Sequence, residues 1–274
     1  MWAFLTRVVL LSSVCVIRFS GDYRSVMRYC RGIVTLLLIG LLTTGCKDAR
    51  EDAGGAPYRE GTATDTVGTG RYYLGREIAR VRPHDEVASW LDRPERELAE
   101  FPERLVKALD LKPANVVADI GAGTGYYTFR IADKVPHGRV FAVDIQAEML
   151  ADIRARAQRE GYRNVEAIRG SPDDPNLPSG SVDLVLIVGS YHEFFYPYEM
   201  MRHIVDALVP GGRVVLAEYR GEDDTLPLSE IHRITEAQLK KEMEFVGLKW
   251  LETHDTLPRQ HLIFFQKPIP KDSP

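Results

Sequence analysis

Apolar and polar positions follow two different periods in the part of the chain that begins at Arg71. Short runs of β-branched and other apolar residues, typical of buried strands, alternate with segments in which apolar residues recur every three or four positions, as in helices. The predicted strands are Val116–Ile120, Arg139–Asp144, Val165–Arg169, Val182–Val188 and Arg213–Tyr219. This alternation predicts an α/β fold, in which helices cover both faces of an open, mostly parallel sheet.

Helix boundaries and the last strands are also visible in the pattern. A helix over residues 147–160 should end at Gly161, because glycine readily takes the left-handed conformation that closes a helix. A capping box that begins at Thr235 predicts a later helix. The two final apolar runs, Leu248–Thr253 and His261–Gln266, have no helical segment between them, and they therefore predict an antiparallel pair.

The amino-terminal region has the pattern of a targeting signal. Gly32–Gly45 is an uncharged apolar run that follows Arg28 and Arg31. About 14 residues at about 1.5 Å each reach only about 21 Å, which is short of the roughly 30 Å that a membrane core demands. A basic segment, a short apolar run and small residues before a cleavage point are typical of a secretory signal. The segment Leu42–Cys46 resembles a bacterial lipoprotein box.

The resemblance to a lipoprotein box implies that Cys46 is lipidated and becomes the first residue of the mature protein. We therefore expect residues 1–46 to be a signal segment, of which residues 1–26 are an upstream extension because Met27 starts the signal naturally. The lipid would hold the protein on the membrane, on the periplasmic side. If the signal is misread, the alternative is a cytoplasmic protein. Residues 47–70, rich in small and polar residues, predict a flexible tether, and residues 71–270 predict one folded domain.

Composition narrows the function further. The chain of 274 residues has 35 Lys and Arg against 39 Asp and Glu, a net charge of −4. This charge argues against nucleic acid as a partner, since such proteins usually present a basic surface. The three cysteines are Cys15, Cys30 and Cys46. Their positions exclude a disulfide framework or a thiolate zinc site from the folded domain.

The strongest chemical signal is a glycine-rich turn between the first predicted strand of the domain and a helical segment. Asp119 precedes Gly121, Gly123 and Gly125. Glycines let the backbone turn tightly and approach a ligand, and the helix that follows offers free N–H groups. A dinucleotide fingerprint has its third glycine three residues after the second, which is not the spacing here. Asp144 ends the next strand, where its carboxylate can accept the protons of ribose hydroxyls; the alternative is a helix cap.

The spacing of Asp119, Gly121, Gly123 and Gly125 resembles motif I of the class I S-adenosylmethionine-dependent methyltransferases. Val182–Val188 and the Gly189–Tyr191 segment after it resemble motif IV, and Leu208–Gly212 resembles the turn before the fifth strand. The resemblance covers roughly residues 100–266. It is closest to the ubiquinone/menaquinone-biosynthesis-like branch and to exported predicted methyltransferases of unassigned substrate.

This resemblance implies a Rossmann-like sheet of seven strands, with the last strand inserted antiparallel. It also implies S-adenosylmethionine as the cofactor, held by the motif I residues and Asp144. Members of the family often have an acidic residue near the adenine just after the third strand. Here the segment reads Gly170–Asp174, so Asp173 is the candidate, displaced by two positions, and the alternative is a simple turn residue.

The candidate catalytic residues follow the fourth predicted strand of the domain. Tyr191 could provide an aromatic wall for the sulfonium by cation–π attraction, and His192 suits proton transfer near neutral pH. Glu193 is a second candidate base. The alternative is that this segment only caps the stretch that follows it. We expect no metal site, because His192 and Glu193 lack a second histidine four residues on.

Three functions remain open at this point. The first is methyl transfer to a small-molecule acceptor, with a lipophilic acceptor favoured by the membrane anchor. The second is a catalytically inactive module that binds S-adenosylmethionine or S-adenosylhomocysteine, since the methyl donor is made inside the cell and the signal points outside. The third and weakest is an NAD(P)-dependent oxidoreductase. The sequence does not determine the acceptor or the oligomeric state.

Overall fold

The computed structural model describes residues 9–10, 13–14 and 57–270. The chain divides into two compact units, Met1–Ala53 and Gly54–Pro274. In the first unit, strands β1 (Val9–Leu10) and β2 (Ser13–Val14) pair in antiparallel fashion. The predicted signal and lipidation site at Cys46 lie outside the described residues. No helix among the described residues has the length and apolar character needed to cross a bilayer.

The second unit contains eleven strands and seven helices among its described residues. The strands are β3 (Tyr58–Glu60), β4 (Gly68–Tyr73), β5 (Arg76–Ala79), β6 (Val116–Ile120), β7 (Arg139–Asp144), β8 (Val165–Arg169), β9 (Val182–Val188), β10 (Leu208–Arg220), β11 (Arg233–Ile234), β12 (Lys249–His254) and β13 (Gln260–Gln266). The helices are α1 (His84–Leu91), α2 (Arg96–Glu100), α3 (Pro102–Ala108), α4 (Tyr126–Ala132), α5 (Ala147–Glu160), α6 (Pro197–Ala207) and α7 (Glu236–Phe245). There are also two 3₁₀ turns. Tyr191–Glu193 follows β9, and Glu230–His232 comes directly before β11.

Seven strands form the central sheet in the order β12-β13-β10-β9-β6-β7-β8, and β11 pairs with the end of β10. The strands from β10 to β8 run parallel to one another, whereas β13 is antiparallel to both β10 and β12. The predicted Rossmann-like sheet of seven strands with an inserted antiparallel strand is therefore confirmed. The expected antiparallel pair at the end of the chain is confirmed with it.

Both faces of the sheet are covered. In β9, Val185 and Ile187 belong to the apolar cluster that contains the buried residues of α6 and α7. Leu184 and Leu186, which point the other way, belong to the cluster that contains residues of α3 and α4. A strand that is buried on both faces needs a continuous apolar run rather than alternation, which is why this segment is readable in the sequence.

Several boundaries agree with the pattern. Helix α5 ends at Gly161, whose φ of 78° is left-handed, as predicted. Thr235 caps α7, because its hydroxyl accepts a hydrogen bond from the Gln238 amide at 3.1 Å. Strand β10 differs, since it begins at Leu208 rather than Arg213 and takes in the expected Pro-Gly-Gly turn. The ladder to β9 shifts register between these two residues, so the turn signal marks an irregularity inside the strand.

The prediction of a flexible tether up to residue 70 is wrong for the part that begins at Tyr58, because β3, β4 and β5 form a three-stranded antiparallel sheet. The Glu77 carboxylate organises this polar segment. It is 7% exposed and accepts hydrogen bonds from the backbone amides of Thr64 and Gly70, at 3.0 and 2.9 Å. The segment has few apolar residues, which is why its composition suggests disorder. The strands are held by a buried polar group instead of an apolar core. Residues 47–56 lie outside the described residues.

A buried ion pair joins the three-stranded sheet to α7. Arg76 makes a bidentate contact with Glu242, at 2.9 and 3.0 Å, and the side chains are 9% and 0% exposed. Tyr191 and Gln238 also donate to this carboxylate, each at 2.7 Å. Burial alone would lower the pKa of Arg76, but the attraction of Glu242 outweighs it and raises that pKa. Such a pair holds the sheet in place because either charge left alone would be costly.

Replacing Arg76 by methionine should therefore destabilise the protein by about 3 kcal/mol or more, because the Glu242 charge would remain buried without its cation. Urea unfolding followed by circular dichroism measures the effect. Lys112→Met is the matched control, since Lys112 and Asp110 form an ion pair with side chains that are 65% and 75% exposed. The control should not shift the unfolding midpoint measurably. Equal midpoints for the two variants would contradict the structural role of the buried pair.

Candidate active site

The glycine-rich turn links β6 to α4 and has a conformation that other residues rarely adopt. Gly121, Gly123 and Gly125 have φ values of 70°, 55° and 82°. A Cβ atom on Gly121 would lie 2.5 Å from the Ser190 hydroxyl oxygen, and one on Gly123 would lie 2.9 Å from Leu91 Cδ1. The left-handed backbone and the close neighbours together require glycine. The amides of Gly121, Gly123 and Gly125 are all used within the protein, by Val143 O, the Asp144 carboxylate and Ala122 O, so the turn contributes a closely approachable backbone rather than free donors.

Asp144 ends β7 beside this turn and is 8% exposed. Its Oδ2 accepts a hydrogen bond from the Gly123 amide at 2.9 Å, and its Oδ1 accepts one from the Gln146 amide at 2.9 Å. Each oxygen keeps a second lone pair, so the carboxylate can still accept two hydroxyl protons. Burial raises the pKa of this carboxyl. The helix-cap alternative is wrong, because the N-cap of α5 is Gln146, whose amide donates to the Asp144 carboxylate. The ribose contact stays a prediction.

Asp119 is the second-to-last residue of β6, and it is 3% exposed. Its Oδ2 accepts a hydrogen bond from the Thr128 hydroxyl at 2.6 Å. Burial raises the pKa of Asp119 to about 6, although the hydrogen bond from Thr128 opposes the shift. This residue therefore supports α4 from below the turn and also contributes to the wall of the cavity described next.

A cavity of about 260 Å³ lies at the carboxyl ends of the parallel strands. Its wall includes the glycine turn, Asp119, Asp144 and residues that follow β8 and β9. The chain order changes direction in the sheet between β6 and β9, and ligands of open α/β sheets bind at such a point. The residues that the sequence analysis assigned to motif I and Asp144 are thus brought together around one space.

Part of the wall comes from the segment between β5 and α3, before the core of the domain. Arg82, Trp90, Leu91 and Arg96 line the cavity. The Arg82 Nε is buried and has no hydrogen-bond partner among the described residues. Nothing in the local pattern of residues 82–96 indicates a ligand, because their contact with the cavity depends on how α1 packs against the glycine turn.

The three predicted catalytic residues form the 3₁₀ turn after β9, and they face different surroundings. Glu193 lines the cavity, whereas Tyr191 and His192 do not. Tyr191 is fully buried in the core and donates its hydroxyl proton to Glu242. Its expected role as an aromatic wall is therefore corrected to a structural one. Phe194 and Phe195, which come next in the chain, line the cavity instead.

His192 is buried and fixed by a buried carboxylate. Its Nδ1 lies 2.9 Å from Glu218 Oε2, and the other oxygen of Glu218 accepts the Tyr191 amide at 2.8 Å. Burial disfavours the charged imidazole, but the attraction of Glu218 outweighs it and raises the pKa of His192. Burial also raises the pKa of Glu193. His192 is thus held in one orientation next to the cavity-lining carboxylate.

A second histidine joins this turn from a distant part of the chain. The rings of His192 and His232 have centroids 5.1 Å apart. Burial and the neighbouring His192 lower the pKa of His232 to about 4. One potential ligand atom each from His192, Glu193 and His232 lie within 4.8 Å of one another. The sequence spacing indicated no metal cluster, because the second histidine comes from the 3₁₀ turn before β11 rather than from the same helix.

Asp173 does not line the cavity. It is exposed, and its carboxylate accepts a hydrogen bond from the Ser171 hydroxyl at 2.6 Å. The neighbouring residues of the same loop, Gly170, Ser171 and Pro172, do line the cavity. The geometry of Asp173 therefore matches the alternative of a turn residue.

Comparison with known families agrees with this geometry. Residues 117–212 match the family model of a methyltransferase domain, a stretch that contains the glycine turn, Asp144 and the 191–193 turn. Residues 117–212 thus form a methyltransferase domain of the S-adenosylmethionine-dependent kind. The family resemblance stated from the motifs is thereby confirmed.

Individual proteins with similar sequences are also named as methyltransferases or as methyltransferase-like. An uncharacterized methyltransferase-like protein of Schizosaccharomyces pombe is 34% identical over 139 residues, which is 50% of this chain and 51% of that protein. The demethylmenaquinone methyltransferase of Lactococcus lactis is 30% identical over 132 residues, or 48% of this chain and 51% of that protein. The chain thus spans about half the length of the curated relatives it matches.

Solved structures confirm the methyltransferase fold. An S-adenosylmethionine-dependent methyltransferase from Aquifex aeolicus superposes with a TM-score of 0.64 at 21% identity, covering 68% of this chain and all of that one. PigF in complex with S-adenosylhomocysteine gives a TM-score of 0.54 at 20% identity and covers 67% of this chain and 59% of PigF. At these identities the similarity describes the fold alone.

The residues of this methyltransferase domain fit S-adenosylmethionine. The left-handed turn at Gly121 and Gly123 forms part of the cavity wall, and Asp144 has the free lone pairs that a ribose needs. Asp119 and Glu193 add acidic groups to the cavity wall, which suit a ligand with a positive sulfonium. The buried donor on Arg82 lacks a partner among the described residues and suits a ligand carboxylate.

Asp144→Asn should weaken S-adenosylhomocysteine binding about 10- to 100-fold, because an amide offers one acceptor oxygen where the carboxylate offers two and carries no charge. Isothermal titration calorimetry on the full chain measures this affinity. Asp173→Asn is the matched control, since that exposed side chain lies outside the cavity wall and should change the affinity less than about 2-fold. A larger loss from the Asp173 variant than from the Asp144 variant would reverse the assignment.

Proposed function

We propose that this protein transfers a methyl group from S-adenosylmethionine to a small-molecule acceptor. One observation carries the proposal, namely the single cavity that joins the glycine turn and Asp144 to the carboxylate of Glu193 and two phenylalanines. When bound, S-adenosylmethionine supplies a methyl group on a positively charged sulfur, which needs alignment with the acceptor more than activation.

The proposed roles at the cofactor end follow from the contacts. The glycine turn lets the cofactor approach the backbone closely, and the first N–H groups of α4 bind its polar groups. Asp144 accepts the ribose hydroxyl protons while the Gly123 amide fixes its orientation. Asp119 keeps α4 in place through Thr128. Arg82 contacts the carboxylate of the methionine part.

At the other end of the cavity, Glu193 and His192 are the groups proposed to act on the acceptor. Glu193 belongs to the cavity wall, and Glu218 fixes the ring of His192 beside it. Phe194 and Phe195 offer aromatic faces near the same carboxylate, and such faces attract a sulfonium cation. Burial of these groups strengthens their electrostatic influence on a bound ligand.

The mouth of the cavity supports a lipophilic acceptor. Val81, Trp90 and Phe195 line the cavity and remain 40%, 36% and 38% exposed. Exposed apolar side chains that border a cavity are typical of sites that receive apolar ligands. A lipophilic acceptor would also agree with the membrane attachment proposed below.

Two assays on the full chain test the proposed activity. Calorimetry should show saturable binding of S-adenosylmethionine and S-adenosylhomocysteine and no heat with NADH. Incubation with methyl-labelled S-adenosylmethionine and bacterial lipid or metabolite extracts should then give a labelled product. The Asp144→Asn variant should give a much weaker signal at the same cofactor concentration.

Each alternative function has its own outcome in these assays. Binding of both sulfur compounds without transfer to any extract would favour an inactive binding module. Heat with NADH alone would favour an oxidoreductase and would remove the cofactor assignment.

We further propose that the protein is a membrane-anchored lipoprotein on the periplasmic side. The support is the sequence alone, namely the basic and apolar segments that precede Cys46. A lipid on Cys46 would hold the acceptor-binding domain near membrane-dissolved compounds. Retention in the cytoplasm is the alternative.

Cys46→Ser should abolish incorporation of labelled fatty acid and move the protein from the membrane fraction to the soluble fraction, because the serine variant lacks the thiol that carries the lipid. Cys30→Ser is the matched control and should leave both properties unchanged. Fatty-acid labelling of the Cys46 variant would contradict the lipoprotein proposal, and absence of the unaltered protein from membranes would favour the cytoplasm.

A further inference from the structure

His192, Glu193 and His232 form a cluster at the edge of the cofactor cavity. One potential ligand atom of each lies within 4.8 Å of the others. Two of the residues belong to the turn after β9, and the third belongs to the turn before β11, whose strand pairs with the end of β10. Strand β5 packs against both turns. The cluster is therefore held by three parts of the fold rather than by one flexible loop.

The side chains around the cluster support a ligand role for His192. The Nδ1 of its ring is occupied by Glu218 at 2.9 Å, and Glu218 is completely buried. This leaves Nε2 as the ring nitrogen available for a further ligand. Histidines that bind metals usually donate their other N–H to a carboxylate in this way, which fixes the ring and raises its basicity.

The other two members lack partners among residues 57–270. The His232 Nε2 is buried and accepts or donates no hydrogen bond there. The Glu193 carboxylate makes neither a hydrogen bond nor an ion pair with the described residues, although it is mostly buried. Buried polar groups are normally paired, so unpaired ones in a cluster need an explanation. The charged groups around the cluster include the carboxylates of Glu193 and Glu218 and the guanidinium groups of Arg76 and Arg82, of which Arg76 is already paired with Glu242.

We propose that His192, Glu193 and His232 bind a divalent transition-metal ion on the wall of the cofactor cavity. Two imidazole nitrogens and one carboxylate oxygen are a donor set typical of catalytic zinc and non-haem iron sites, which keep at least one position open. Ligands bonded to one ion at about 2.1 Å lie roughly 3–4 Å apart, so the three side chains, now within 4.8 Å of one another, need to close by at most about 1–2 Å.

The metal site also indicates the chemical class of the acceptor, an inference that rests on the proposed methyl transfer. Glu193 lies in both the metal cluster and the cavity wall, so an open coordination position would face the cavity. The ion would bind an acceptor through oxygen, as a hydroxyl, an enol or a pair of neighbouring oxygens. A bound cation makes such an oxygen easier to deprotonate and holds it in place.

The test measures metal binding directly, without the methyl donor. The full chain is used with its three cysteines alkylated, because thiolates bind the same ions. Calorimetry with Zn²⁺ and the visible absorption of Co²⁺ should show one saturable site. His232→Ala should weaken binding at least about 100-fold, and Glu218→Gln about 10- to 100-fold. Acetohydroxamate, a probe with two neighbouring oxygens, should change the Co²⁺ spectrum.

His203→Ala is the control for surface binding, since His203 is half exposed and contacts only the loop that contains Asp173. This variant should bind Zn²⁺ as the unaltered protein does. S-adenosylhomocysteine affinity, measured on every variant, reports on the integrity of the cofactor site and should stay within about 3-fold for His232→Ala.

Absence of a saturable Zn²⁺ site, or equal affinity in His232→Ala, would overturn the metal proposal. If S-adenosylhomocysteine still binds, the proposed methyl transfer survives that result. A Co²⁺ spectrum that does not respond to acetohydroxamate would overturn the assignment of an oxygen acceptor at the open position. Failure of the unaltered protein to bind S-adenosylhomocysteine would instead overturn the proposed function, whatever the metal result.

Discussion

The hydrogen bond from the Gly123 amide to the Asp144 carboxylate connects the two parts of the molecule on which the cavity depends. Gly123 lies after β6 and Asp144 ends β7, so the contact holds the turn against the end of the neighbouring strand. The left-handed conformation of the turn lets its amide reach the carboxylate. The same carboxylate accepts from the Gln146 amide, in the turn just before α5. One buried group therefore orients a turn, a helix and the bottom of the cavity.

A second buried carboxylate plays a comparable part on the other side of the cavity. Glu218, near the end of β10, accepts from the Tyr191 amide and contacts the ring of His192. Tyr191 in turn donates to Glu242, which pairs with Arg76. The position of the 191–193 turn thus depends on the three-stranded sheet as well as on the central sheet. Buried charges are costly unless they are paired, so this arrangement tolerates few alternatives.

The consequence for function is that acidic and aromatic groups meet in a space enclosed by two carboxylate-centred networks. Asp119, Asp144 and Glu193 all contribute to the wall, and burial raises the pKa of each. Ionisable groups with shifted pKa values are often found in functional sites, because the environment that shifts them also acts on a ligand.

Sequence reasoning was most successful where one local cause decides the structure. The buried strand Val182–Val188 needs a continuous apolar run, and Gly161 closes a helix because of its own backbone freedom. It failed where the cause is remote, as at residues 58–70, whose order depends on the buried Glu77. The sequence-based prediction also placed Tyr191 at the cavity, and this was wrong. The side chain of a residue just after a strand can point into the cavity or into the core, and the local sequence does not distinguish the two.

The sequence by itself determined the α/β class, the parallel sheet and the glycine turn with Asp144, because strand periodicity and glycine conformation act within a few residues. Only the tertiary structure decided that Glu193 rather than Tyr191 faces the cavity, that the segment around Arg82 completes the wall, and that His232 joins His192. These contacts join residues far apart in the chain, and their geometry follows from how buried charges and helices pack around the sheet.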